Sequence, residues 1–169
     1  MTEPEVPRSQ DGVGEPDPFG RLWMPHRMAY IKGEGKPSGD GSVQDCPFCR
    51  VPSLSDPDGL VVARGTAVFA VLNLYPYNNG HLMVVPRRHL AHLTDLTHEE
   101  LVEMAELTQV ASQALTDIYR PQGINVGMNL GRPAGAGVAD HLHTHLVPRW
   151  TGDTNFMTVV GEVRVLPEE

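Results

Sequence analysis

The segment of this 169-residue chain richest in chemistry is His141-Leu142-His143-Thr144-His145-Leu146-Val147. Side chains alternate along an extended strand, so His141, His143 and His145 share one face and Leu142, Thr144 and Leu146 the other. Three imidazoles on one face are costly to hide without partners. Three readings follow. The face can be solvated and without a role. It can be a metal site, since imidazole is a common zinc ligand and a twisted strand lets alternate side chains converge. It can be catalytic, with one imidazole as nucleophile and its neighbours orienting it and donating protons.

The residues just upstream bear on that choice. Asn129 to Asp140 contains Gly131, Gly135 and Gly137. Glycines at Gly135 and Gly137 let the backbone approach a ligand closely, and their N–H groups can form an anion nest beside the histidines. An imidazole facing such a nest suits phosphoryl chemistry, where oxygens need fixed donors as charge redistributes. A second cluster is Cys46-Pro47-Phe48-Cys49, which fits reduced thiols for metal or redox use. It also resembles a glutaredoxin active site. That arrangement requires a strand before the first cysteine, and Gly39–Asp45 does not read as one.

These residues need a scaffold. Leu60–Arg64, Ala67–Leu72, His81–Val85, Ile124–Leu130 and His141–Val147 read as strands. Thr97 and Glu100 match a capping box. Behind them Leu101, Met104, Ala105, Thr108, Ala111, Leu115 and Ile118 recur at helical spacing up to about Tyr119, before Pro121. Strands, one long helix and further strands predict an α+β domain on an antiparallel sheet. Residues 1–20, rich in Pro, Glu, Asp and Gly, read as a disordered tail. Residues 21–45 read as a docking segment, with Trp23, Met28, Tyr30 and Ile31, followed by a linker, and residues 46–169 as the domain.

The triad, followed by Leu146-Val147, resembles the signature of the histidine triad (HIT) superfamily. Asn73-Leu74-Tyr75-Pro76, the run Gly80–Pro86 and His89 resemble its central strands, and Cys46-Pro47-Phe48-Cys49 resembles a motif of its zinc-containing members. Pro148-Arg149-Trp150, Gly152–Met157 with Asn155, and Arg21–Met28 resemble the diadenosine tetraphosphate phosphorylase branch. The resemblance implies a HIT-like fold, a five-stranded antiparallel sheet with one long helix, dimerising as a homodimer. It implies that His143 is the nucleophile, that His145 contacts the scissile or leaving oxygen, and that His141 orients the site. It places Asn73 at the ribose and Asn129 near the phosphates, with Gly135, Gly137 and Trp150 also on the substrate. His81 is either part of the phosphate site or a satisfied core histidine. Cys46, Cys49, His89 and His141 become the ligands of a structural zinc, the alternative being packed, unmetallated thiols. Many members carry Gln and then Ser or Thr just before the triad, where this chain has Ala136, Gly137 and Val138. That loop offers backbone donors only, which suits capture of inorganic phosphate. The expected reaction is phosphorolysis of diadenosine tetraphosphate to ATP and ADP through a nucleotidyl-histidine. The alternative is a hydrolase releasing AMP, or a zinc-stabilised binding module.

Composition narrows the partners. A formal charge of −8 argues against a general nucleic-acid binder, while a local cluster can still hold an anionic nucleotide. No run approaches the roughly 20 apolar residues of a membrane span. No apolar signal segment opens the chain, so a cytoplasmic protein is expected.

Overall fold

The computed structural model describes residues 42–151 and 153. The expected tail, the docking segment with Trp23, Met28, Tyr30 and Ile31, Asn155 and the stretch Val159–Leu166 lie outside the described residues. Two single-turn helices, α1 (Pro47–Arg50) and α2 (Asp56–Gly59), precede strands β1 (Val61–Arg64), β2 (Val68–Leu72) and β3 (Leu82–Pro86). The long helix α3 (His98–Tyr119) follows, then β4 (Gly123–Gly127) and β5 (Thr144–Arg149). The five strands form one antiparallel sheet in the order β1-β2-β3-β5-β4. Among the described residues no helix is long and apolar enough to cross a membrane.

Alternation along the strands divides the interior in two. Val68, Ala70, Leu82, Val84, Leu142 and Leu146 pack with Met104, Ala111 and Leu115 of α3. Phe69, Val71, Met83 and Val85 point the other way, onto Cys46 and Phe48. Because β2 and β3 are buried on both faces, they read as unbroken apolar runs. Each fully buried side chain of this kind, such as Phe69 or Leu146, contributes about 1.5–3 kcal/mol.

Helix α3 begins as its sequence predicts. Thr97 Oγ1 accepts from the Glu100 N–H at 3.3 Å, and the Glu100 carboxylate accepts from the Thr97 N–H at 2.9 Å. The same carboxylate takes two bonds from Arg88, at 2.7 and 2.6 Å, tying the helix start to the residue beside His89. Arg88, and then the Thr97 amide, hold the Glu100 carboxyl down to about 2 against its burial. The buried face is Glu100, Met104, Ala111 and Leu115, with Leu107 partly covered. The expected face is corrected at its ends: Leu101 and Ile118 are 48% and 72% exposed. The last strand is corrected too. It starts at Thr144 rather than His141, because Leu142 N–H donates to the Leu90 carbonyl at 2.7 Å instead of joining the sheet ladder. β4 likewise stops at Gly127, short of Leu130.

Candidate active site and metal cluster

The register Met83↔His145 across β3 and β5 sets the site on the sheet face opposite α3. His141, His143 and His145 are all buried there, at 1%, 5% and 5% exposure. Their hydrogen bonds fix which nitrogen of each ring carries the proton.

His143 Nδ1 lies 2.8 Å from the His141 carbonyl oxygen. A carbonyl only accepts, so Nδ1 holds the proton and donates, and the neutral ring presents an Nε2 lone pair. Burial pushes the His143 imidazole below its ordinary value, with the His141 carbonyl opposing, which favours that neutral form. Behind it, the Tyr77 N–H donates to His81 Nδ1 at 3.0 Å. Neutral His81 therefore carries its proton on Nε2 and donates it to His145 Nδ1 at 2.9 Å. His145 in turn bears its proton on Nε2. The His143 and His145 rings stand at 4.7 Å between centroids, 79° apart in plane. A lone pair on one ring thus neighbours a fixed N–H donor on the next, which suits in-line attack on phosphorus with a hydrogen bond to the departing oxygen.

The first histidine is used differently. His141 Nε2 donates to the Pro86 carbonyl at 2.8 Å, which turns the Nδ1 lone pair to Cys46 Sγ at 3.2 Å and Cys49 Sγ at 3.5 Å. His89 Nδ1 is 3.2 Å from Cys49 Sγ. The four ligand atoms lie within 4.8 Å of one another, and both cysteines are free thiols. A tetrahedral zinc with ordinary bond lengths needs ligand–ligand edges of about 3.3–3.8 Å, so this donor set fits. The carbonyl behind His141 is the orienting partner that metal-bound histidines usually have. Burial first, then the hydrogen bond and charge of Cys46, push the Cys49 thiol up to about 11, and burial brings His141 down to about 4. Ionised as metal ligands, the two sulfurs would need a compensating cation, which a divalent metal would supply.

A cavity of about 590 Å³ opens beside the two reactive rings. His143, His145, Asn73, Gly135 and Gly137 line it, as do Phe48, Val51, Leu60, Val71 and Met83. The lining joins apolar side chains to the two imidazoles and the glycine loop. Gly131 and Gly135 hold φ of 87° and 90°, values that favour glycine, on either side of a short 3-10 turn. Asn73 Oδ1 accepts from the Tyr75 N–H at 2.9 Å, so its side chain is oriented before any ligand arrives.

Three expected substrate contacts do not line the cavity. Neither Asn129 nor Trp150 is among the lining residues. His81, buried and hydrogen-bonded to His145, is not among the lining residues, which fits the second of its two readings, a satisfied core histidine. The His141 ring is turned into the cysteine cluster, and its backbone carbonyl, not its imidazole, touches His143. Residues missed in the sequence include Phe48, whose ring is 5.0 Å from His143 and 5.5 Å from His141. Its place between the two cysteines was the available signal. Tyr77, stacked on His81 at 4.9 Å, was hidden in a loop rich in turn residues.

Comparison with known proteins agrees with this geometry. The AP-4-A phosphorylase of Mycobacterium tuberculosis is 51% identical over 160 residues, covering 93% of this chain and 82% of that protein. A hypothetical histidine triad nucleotide-binding protein from Sulfolobus tokodaii superposes with a TM-score of 0.57 at 31% identity, over 66% of this chain and 74% of that one. A zinc-bound histidine triad family protein from Mycobacterium smegmatis gives a TM-score of 0.59 at 28% identity, over 68% and 83% of the two chains. The family profile described as HIT domain matches residues 56–152. With the triad, the sheet and more than half of the chain accounted for, this protein belongs to the HIT domain family.

Proposed function

We propose that this protein is a nucleotidyl-transferring enzyme that cleaves diadenosine tetraphosphate with inorganic phosphate, giving ATP and ADP. The observation carrying this reading is the His143 ring, held by the His141 carbonyl with its Nε2 lone pair available beside the cavity. The 51% identity to a protein named AP-4-A phosphorylase supports the choice of substrate and acceptor.

In the first step His143 Nε2 attacks the α-phosphorus, and the bond from that phosphorus to the bridging oxygen breaks. ATP leaves as the anion, its departing oxygen accepting a hydrogen bond from His145 Nε2–H, and AMP stays on His143. The His81 Nε2–H bond to His145 Nδ1 holds that ring in the tautomer that carries its proton on Nε2. In the second step a phosphate oxygen attacks the same phosphorus, the P–N bond breaks, ADP forms and His143 returns to its neutral state. The adenosine occupies the apolar slot of Phe48, Val51, Leu60, Val71 and Met83, with Asn73 at the ribose and the Gly135–Gly137 loop offering N–H donors to phosphate.

A zinc ion held by Cys46, Cys49, His89 and His141 contributes folding energy rather than reaction chemistry. Residues 46–169 form the HIT domain, preceded by the tail and docking segment. The working form is a two-fold dimer, a reading supported by exposed apolar side chains at Val110 and Ile118 of α3 and Val126 of the edge strand β4. Free thiols suit the cytoplasm.

The deciding experiment supplies diadenosine tetraphosphate with saturating phosphate and resolves the products by chromatography. ADP rising in step with ATP is expected. AMP as the main product, at a rate indifferent to phosphate, would convert the assignment to a hydrolase.

A further inference from the structure

The slot that takes the base has an unusual wall. It is built from the stretch between the second cysteine and β1, with Val51, Leu54, Asp58, Gly59 and Leu60 lining the cavity. This stretch contains only a 3-10 turn (Val51–Ser53) and the single-turn helix α2. Such short turns have little stability of their own, since helix nucleation is unfavourable. The wall also ends on a leucine in the left-handed region: Leu60 has φ 54°, a conformation that a leucine keeps only when its surroundings hold it.

One side chain supplies much of that hold. From β1, Arg64 donates Nη1–H to the Pro52 carbonyl at 3.2 Å and Nη2–H to the Leu54 carbonyl at 3.0 Å. Its Nε–H donates to Asp56 Oδ1 at 2.7 Å. The guanidinium thus binds three alternate residues of the wall, yet Arg64 is not among the residues lining the cavity. The Asp56 side chain is 61% exposed, so water screens that ion pair, and the two carbonyl bonds carry the hold on the backbone. The metal cluster fixes the other end of the same stretch, through Cys46, Cys49 and the Phe48 ring.

We propose that Arg64 is a positioning residue for the nucleoside: its three-pronged clamp preorganises the Pro52–Leu60 wall, so that binding of the base does not have to order it. This rests on the reading of the cavity as a nucleotide site. The clamp bonds Pro52, Leu54 and Asp56, and takes no part in the hydrogen bonds that set the imidazoles. Its loss therefore appears in nucleoside affinity, not in the bond-breaking step.

The test uses Arg64→Met, Arg64→Lys and the wild-type chain, with AMP binding by calorimetry and steady-state kinetics on diadenosine tetraphosphate and phosphate. Lysine keeps the charge but cannot reach three acceptors in a fork. Both variants are expected to bind AMP roughly tenfold more weakly and to raise KM for diadenosine tetraphosphate by a similar factor. Their kcat and KM for phosphate should stay near wild type. If Arg64→Met does not fold, Arg64→Lys carries the test on the same two readings. Wild-type AMP affinity in a folded variant overturns the clamp, as does a fall in kcat with KM unchanged. A wild-type chain that binds no AMP overturns the nucleotide reading itself, and the clamp with it.

Discussion

His141 and His143 are two residues apart, just ahead of β5, yet the structure puts them to opposite uses. The His141 ring donates to a carbonyl through Nε2 and turns Nδ1 to two sulfurs; the His143 ring donates to a carbonyl through Nδ1 and leaves Nε2 for the cavity. One backbone acceptor behind each ring decides which nitrogen is left to act. The difference teaches that in this fold a histidine's role is set by the peptide group behind it more than by its own position in the motif.

That contrast can be broken most severely at His143. Replacing it with alanine removes the only expected nucleophile. Turnover should fall by a factor on the order of 10,000 or more, while AMP binding persists, because the apolar slot is untouched. Residual activity close to wild type would show that the reacting group lies elsewhere. At the other ring the expected effect is on folding. Cys46→Ser, or metal removal by a chelator, should lower Tm by on the order of 10 °C or more, with a much smaller change in turnover per folded molecule. A melting curve that does not move would refute the metal role. Proportional loss of turnover per folded molecule would instead merge the two regions into one. The smallest effect concerns the side chain just after His143, on the motif's other face. Among the described residues, Thr144 Oγ1 is a buried hydroxyl with no hydrogen-bond partner. Thr144→Val keeps the shape and removes the orphan, so a gain of about 1 kcal/mol is expected in denaturant unfolding with kcat unaltered. A loss of stability would mean that the hydroxyl has a partner in solution.

Much of the scaffold was legible because it obeys local rules. The capping box at Thr97 and Glu100, the alternation through β2 and β3, and the period-two histidines each follow from neighbouring residues. Other features depend on groups far along the chain. Pro86, 55 residues before His141, decides how that ring turns, and Leu90 pulls Leu142 out of the sheet ladder, so β5 starts three residues late. The base-slot wall was the least legible part. Pro47, Pro52 and Pro57 break it into single turns, and its shape comes from Arg64 and the cysteine cluster rather than from any periodicity. Tyr77 escaped notice for a related reason: it is its backbone N–H, which every residue but proline carries, that fixes His81.

The acceptor for His143 is the peptide oxygen of His141, not a side chain. A genetic consequence follows. Substitution of residue 141 can delete an imidazole, and with it one metal ligand, but every amino acid brings the same carbonyl. The bond that sets the nucleophile's tautomer is therefore beyond the direct reach of a missense change. Mutational drift in a lineage carrying this fold could erode the cysteine cluster, one ligand at a time, while the reactive ring kept its orientation.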